Sequence, residues 1–269
     1  MEELKNNPKY NQLIQYLKNL KSVAVAFSGG VDSTFLLAAA REALTDNVIA
    51  FTIKSPYIPD WEINEARQIT NKLTVKHLVF ETEISNLIIN NPENRCYLCK
   101  NFVFKKLKYE AEKLGINHVV DGTNFDDIKY YRPGIKALME LGIKSPLLEN
   151  KITKADIRSF SKALKLETWD KPAYACLLTR IPYNTEIKKE ELRRIEQAEV
   201  FLMKLGFKGV RVRSHNNLAR IELNKSQLND VLKNNLNNKI ADKLKEIGFT
   251  YVTIDIEGYR TGSMDVREG

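Results

Sequence analysis

The sequence predicts an α/β protein, a mostly parallel sheet covered by helices, with a smaller α+β unit at its C-terminal end. Three observations carry that expectation. Apolar strand-like runs alternate with amphipathic helical stretches from residue 23 to residue 164, the pattern of a parallel sheet built from crossover units. A strand, a Ser-Gly-Gly turn and a strong helix former follow one another directly over residues 23–40. After Pro182 the order changes to helix–strand–strand–helix–strand, which places a domain boundary near residue 183 (1–183 and 184–269).

The elements can be justified in turn. Tyr10, Leu13, Ile14, Leu17 and Leu20 form one apolar stripe over residues 1–20 and predict an amphipathic helix. Val23-Ala24-Val25-Ala26-Phe27 is continuously apolar and reads as a buried strand, and Thr34 to Ala40 reads as a helix. Val48 to Ile53 is a second strand, and Asp60 opens a helix that runs to Leu73. Val75 to Phe80 is a third strand. Lys100 to Leu114 is helical and stops at Gly115, and Asn117 to Val120 is a fourth strand. Thr153 is positioned to cap a helix over Ala155 to Leu164. Beyond Pro182, Ile187 to Leu205 is a long charged helix, and Val210-Arg211-Val212-Arg213 and Leu218 to Leu223 alternate like strands. Ser226 to Ile247 reads as one helix despite its asparagine-rich centre, and Tyr251 to Ile256 is the last strand.

Composition narrows the class of function. The chain has 269 residues and a formal charge of +8, which suits anionic ligands. Its lysines are spread along helices rather than massed in one tract, so a solvated surface is preferred to nucleic-acid binding. Three cysteines form no disulfide framework. The N-terminus has no apolar leader, and no run is long enough to span a bilayer. A cytoplasmic protein is expected.

Four places carry chemistry. Ser28-Gly29-Gly30-Val31-Asp32-Ser33 joins a strand to a helix. Glycines there let the backbone approach an anion, the first helical N–H groups point at it, and Ser28, Ser33 and Thr34 add hydroxyls. Asp32 within such a cradle can hold Mg²⁺ on the phosphates or complement the helix dipole. Asp121-Gly122-Thr123-Asn124 follows another strand end, and Arg132 lies in a polar loop where it can reach phosphate. Cys96 and Cys99 open a helix in a CxxC spacing. With Cys176 and one of His77, His118 or His215 they fit a zinc site, as a pair they fit a redox dithiol, and the three cysteines alone fit a [4Fe-4S] cluster with one open iron. Cys176 lies four residues before Arg180, which favours its ionisation. Arg211 and Arg213 point to one face of a strand, and two such arginines call for an anion, here a second phosphate.

The hexapeptide lacks the lysine of a Walker loop and resembles instead the PP-loop of ATP pyrophosphatases. Over nearly its whole length the chain resembles the LarE family of ATP-dependent sulfur-inserting enzymes. The resemblance rests on residues 26–34, Asp121 to Asn124, Tyr131 to Gly134, Cys176 with Arg180 to Tyr183, Val210 to Arg213 and Ala219 to Glu222. It implies ATP and Mg²⁺ as cofactors and a pyridinium-3,5-biscarboxylic acid mononucleotide as substrate, whose carboxylate is adenylated and then attacked by sulfur to yield a thiocarboxylate for the nickel-pincer nucleotide. It implies that Arg211 and Arg213 hold the substrate phosphate, that Glu199 is an acidic catalytic residue, and that the C-terminal unit serves phosphate binding and homo-oligomer formation. In the best-known form one cysteine, matching Cys176, gives up its own sulfur. The added Cys96 and Cys99 resemble the branch in which three cysteines hold a [4Fe-4S] cluster that carries hydrosulfide from a separate sulfide source. A cluster-dependent tRNA thiolase and a nucleotide-binding protein with structural zinc are the competing readings.

Overall fold

The computed structural model describes residues 4, 6–129, 133–172, 174–232, 236–260 and 262–264. The chain divides into two compact units: Met1–Ser55, Asp60–Ser85 and Asn94–Lys171 form the first, and Pro56–Pro59, Asn86–Glu93 and Pro172–Gly269 form the second.

The first unit opens with α1 (Pro8–Leu20), where the Asn7 side chain accepts from the Lys9 and Tyr10 N–H groups and Pro8 occupies the first turn. There follow β1 (Val23–Ala26), α2 (Val31–Leu44), β2 (Val48–Lys54), α3 (Asp60–Lys72), β3 (Lys76–Glu81), α4 (Arg95–Lys113) and β4 (Val119–Val120). A 3-10 turn (Phe125–Lys129), α5 (Pro133–Glu140), α6 (Pro146–Glu149) and α7 (Lys154–Ala163) complete it. The four strands pair in the order β3-β2-β1-β4, all parallel, as the alternation predicts.

Both faces of this sheet are covered, so its strands read as unbroken apolar runs. Val23 and Val25 face a core with Tyr10, Leu13, Phe35, Leu36, Ile157 and Phe160 from α1, α2 and α7. Ala24 turns to the other face, where Phe51, Phe104, Leu107 and Leu138 gather. Removing a side chain such as Phe35, which is fully buried, from water contributes roughly 1.5–3 kcal/mol. The Thr153 cap is present as a full capping box with Asp156. The sequence reading missed α5 and α6, which are only eight and four residues long. The CxxC segment opens α4 as expected, so the helix runs from Arg95 and not only from Lys100.

The second unit contains α8 (Lys189–Lys204), β5 (Arg211–His215), β6 (Leu218–Glu222), α9 (Leu236–Glu246) and β7 (Tyr251–Ile254). Its sheet runs β5-β6-β7, antiparallel across the first pair and parallel across the second. Leu192, Ile195, Ala198 and Leu202 of α8 are buried, as are Val212, Ala219 and Ile221 of the sheet. The single helix expected over 226–247 is instead a 3-10 stretch (Lys225–Leu232) and α9. Asn234 and Asn235 lie outside the described residues. Among the described residues no helix is long and apolar enough to cross a membrane.

Candidate active site

In the first unit β2 and β3 lie to one side of β1 and β4 to the other. The strand order therefore reverses between β1 and β4, and ligands of open α/β sheets bind beyond the carboxyl ends of the strands at such a point. Ser28 to Gly30 follow β1 and Asp121 to Asn124 follow β4. Gly29 has φ +69°, and a Cβ there would stand 3.4 Å from the Ala66 backbone. Gly122 packs on the first turn of α2: a Cβ would come within 3.1 Å of the Ser33 nitrogen. The absence of a side chain at Gly122 thus lets the two loops meet, and at Gly29 it lets the turn approach α3.

The hydroxyls of the cradle engage one another. Ser28 N–H donates to Ser33 Oγ at 3.3 Å, the two Oγ atoms are 3.2 Å apart, and Gly30 N–H donates to Ser28 Oγ at 3.4 Å. Thr34 is only 1% exposed, and its enclosed hydroxyl has no partner among the described residues. It faces the interior, unlike the donor role expected of it.

Asp32 sits in the first turn of α2 and meets a lysine that sequence reasoning did not find. Lys154 Nζ donates to both carboxylate oxygens, at 2.6 and 2.8 Å, and Asn124 Nδ2 approaches at 3.5 Å. A second lysine, Lys171, donates from Nζ to the Gly29 carbonyl at 2.9 Å and to Glu65 at 2.7 Å. Lys154 stands 122 residues from Asp32. Its only local signal is its place beside the Thr153 cap. A lysine of α7 therefore pairs with the aspartate of the Ser28–Ser33 turn. Asp121 is buried, accepts from Ser145 Oγ at 2.6 Å and from Thr123 Oγ1 at 2.5 Å, and lies 3.9 Å from Lys100 Nζ. Arg132 lies outside the described residues.

His77, a candidate zinc ligand, is occupied otherwise. Thr52 Oγ1 donates to the Phe27 carbonyl at 2.6 Å, and His77 Nε2 is 2.7 Å from the same hydroxyl. With that hydrogen committed, Nε2 carries the proton and donates. Burial, with Arg67 adding to it, lowers the His77 pKa to about 4, so the ring is neutral.

Cys96 is exposed and Cys99 half-buried in the first turn of α4, and Cys176 is half-buried at the head of the 3-10 turn Leu177–Arg180 in the second unit. None is in a disulfide. Among the described residues no three of His, Cys, Asp and Glu come together as a metal group.

The second unit gathers an ionic cluster. Arg180 is 1% exposed. It donates from Nε and Nη2 to the two oxygens of Glu199, at 2.9 and 3.0 Å, and from Nη1 to the carbonyls of Ala175 and Cys176, at 2.7 and 3.2 Å. Its charge is thus matched by Glu199 while it grips the main chain around the cysteine. Glu199 also accepts from Val212 N–H at 2.9 Å. Arg211 and Arg213 are both buried. The Arg211 guanidinium lies 5.0 and 5.3 Å from the ring centres of Tyr174 and Tyr259, and burial and neighbouring Arg180 lower its pKa. Arg213 Nη2 donates to Glu222 at 2.7 Å and Nη1 to the Thr179 carbonyl at 2.8 Å. Glu222, fully buried, also accepts from Ser263 Oγ at 2.6 Å. Burial made an external anion the expected partner of Arg213, but Glu222 already supplies one from within the protein.

A Ser-Gly-Gly cradle at the switch point of a parallel sheet, its aspartate held by a lysine, defines a PP-loop nucleotide domain. Residues 15–99 match the asparagine synthase family. Over 256 residues the chain is 36% identical to the pyridinium-3,5-bisthiocarboxylic acid mononucleotide synthase of Lactiplantibacillus plantarum, covering 94% of this chain and 92% of that protein. It is 41% identical over 259 residues to an uncharacterized protein of Synechocystis sp., covering 96% and 97% of the two chains. An uncharacterized protein of Methanocaldococcus jannaschii is 40% identical over 259 residues, 96% of each chain. The chain belongs to the LarE family of PP-loop sulfurtransferases.

Proposed function

We propose that this protein adenylates a carboxylate of pyridinium-3,5-biscarboxylic acid mononucleotide and replaces its oxygen with sulfur, as a cytoplasmic step in nickel-pincer cofactor synthesis. The observation that carries this reading is the full-length similarity to the bisthiocarboxylic acid mononucleotide synthase. The cradle geometry agrees with it.

In this reading the substrate carboxylate attacks the α-phosphorus of ATP, pyrophosphate leaves, and an acyl-adenylate forms. A sulfur nucleophile then attacks the acyl carbon and AMP leaves with the former carboxylate oxygen. Gly29, Gly30, Ser28 and Ser33 bind the phosphates, with Asp121 and Gly122 closing the far wall. Asp32 would hold Mg²⁺, which would supply positive charge at the phosphates, and Lys154, paired with Asp32, stands beside the charge that develops on departing pyrophosphate. Arg132 is assigned to the nucleotide from the sequence alone. Arg211, with its guanidinium 5.0 and 5.3 Å from the ring centres of Tyr174 and Tyr259, and Arg213 hold the substrate phosphate. Both Glu199 oxygens are engaged by Arg180 and the β5 backbone, so Glu199 acts by fixing Arg180 and the Cys176 turn.

The donor chemistry fits a [4Fe-4S] cluster: thiols are its usual ligands, and Cys96 and Cys99 lie three apart on one helical turn, bonded to no other sulfur. Cys96, Cys99 and Cys176 would hold it, and its open iron would supply a place for hydrosulfide. Anaerobic incubation with ATP, sulfide and the pyridinium mononucleotide should yield AMP, pyrophosphate and thiocarboxylate in equal amounts. ATP cleavage with no thiocarboxylate would refute the assignment.

A further inference from the structure

We propose that Asn91 is the positioning residue for Cys176. The proposal rests on the reading of Cys176 as a sulfur-transfer residue. The segment Asn86–Glu93 precedes the CxxC helix in the sequence, yet it belongs to the second unit, and Asn91 is its buried centre. Asn91 Nδ2 donates to the carbonyls of Pro182, Ile181 and Leu178, at 2.9, 3.0 and 3.4 Å. The Asn91 carbonyl accepts from Asn184 N–H at 3.0 Å, and the Ile89 carbonyl accepts from Ile187 N–H at 2.7 Å. On the other flank, Arg180 takes the carbonyls of Ala175 and Cys176, and Leu177 N–H donates to the Tyr57 carbonyl at 2.9 Å. Short segments distant in sequence thus hold the turn that begins at Cys176 from both sides.

Two features say why this residue is asparagine. Its φ is +48°, a left-handed conformation that asparagine tolerates better than most side chains. Its Oδ1 is buried with no partner among the described residues. An orphaned acceptor is costly, and an apolar residue would avoid it. The residue is kept for its NH₂, which lets one side chain serve three carbonyls. The amide orientation follows, because the flipped form would set Oδ1 against those same carbonyls.

The test uses Asn91→Gly, which permits the left-handed backbone and removes the donors. Hydrogen exchange of the intact protein, read by mass spectrometry over 174–188, should quicken about tenfold in the variant and stay unchanged in β1 and α2. Pyrophosphate release should remain within about twofold, while thiocarboxylate formation falls at least about tenfold. Unchanged exchange over 174–188, or an equal loss in both half-reactions, would overturn the proposal. If the variant does not fold, the parent protein decides: the Leu177, Asn184 and Ile187 amides must exchange as slowly as those of β5, and rapid exchange there refutes the clasp. If the parent forms no thiocarboxylate, the proposed reaction falls, while the exchange measurement still decides whether Asn91 holds the turn.

Discussion

Glu222 and Arg213 offer the sharpest energetic test. Their side chains are 0% and 6% exposed and meet at 2.7 Å. Replacing Glu222 with Leu strands the buried guanidinium and removes the Ser263 acceptor. Breaking one side of a buried pair costs about 3–5 kcal/mol. Arg213→Met should cost a similar amount, since among the described residues Glu222 then keeps only Ser263 and the more distant Arg220, at 3.4 Å. The double variant removes both charges and should lie only about 1–2 kcal/mol below the parent, the residue being mostly the donor lost to the Thr179 carbonyl. Urea unfolding of all four proteins at pH 7 gives the coupling, expected at about 3 kcal/mol or more. A coupling below about 1 kcal/mol would mean that water or a neighbour compensates either charge. Glu222 would then not explain the burial of Arg213.

Asp32→Ala should abolish pyrophosphate release, by at least about a hundredfold. Its Lys154 pair is about one-third exposed, so urea unfolding should change by no more than about 1 kcal/mol; retained activity refutes the phosphate-site assignment. Cys96→Ala and Cys99→Ala should each lose iron and sulfide on anaerobic purification and lose sulfur transfer, while adenylation survives. A parent protein that stops after one sulfur, with Cys176 lighter by H₂S, would show the sacrificial route instead. His77 titrates at 6.5 when unperturbed and at about 4 in the folded protein. The unfolded chain therefore binds the extra proton first, and the stability that His77 contributes is present above pH 6.5 and is lost as pH falls toward 4. Unfolding midpoints for parent and His77→Gln should converge across that window; parallel curves would show that the ring is not held neutral.

Local sequence settled a great deal. Unbroken apolar runs can be buried only in a sheet covered on both faces, and the parallel order followed from their alternation with helices. Gly122 marks where the two loops meet at the switch point, because a side chain there would crowd the first turn of α2. Thr153 announced its own cap. What local sequence could not show are partners brought together by folding. Lys154 reaches Asp32 across 122 residues, Glu222 neutralises Arg213 from the adjacent strand, and Asn91 clasps a turn some 87–91 residues away. Nothing in the composition around those residues encodes the pairing. Periodicity also misled over Lys225–Leu232, which is a 3-10 stretch, since it records which face is apolar and not which backbone bonds form. The chemistry of each group is fixed by its residue type, but its charge state and its partner are fixed by burial, and burial is decided only when the whole chain has packed.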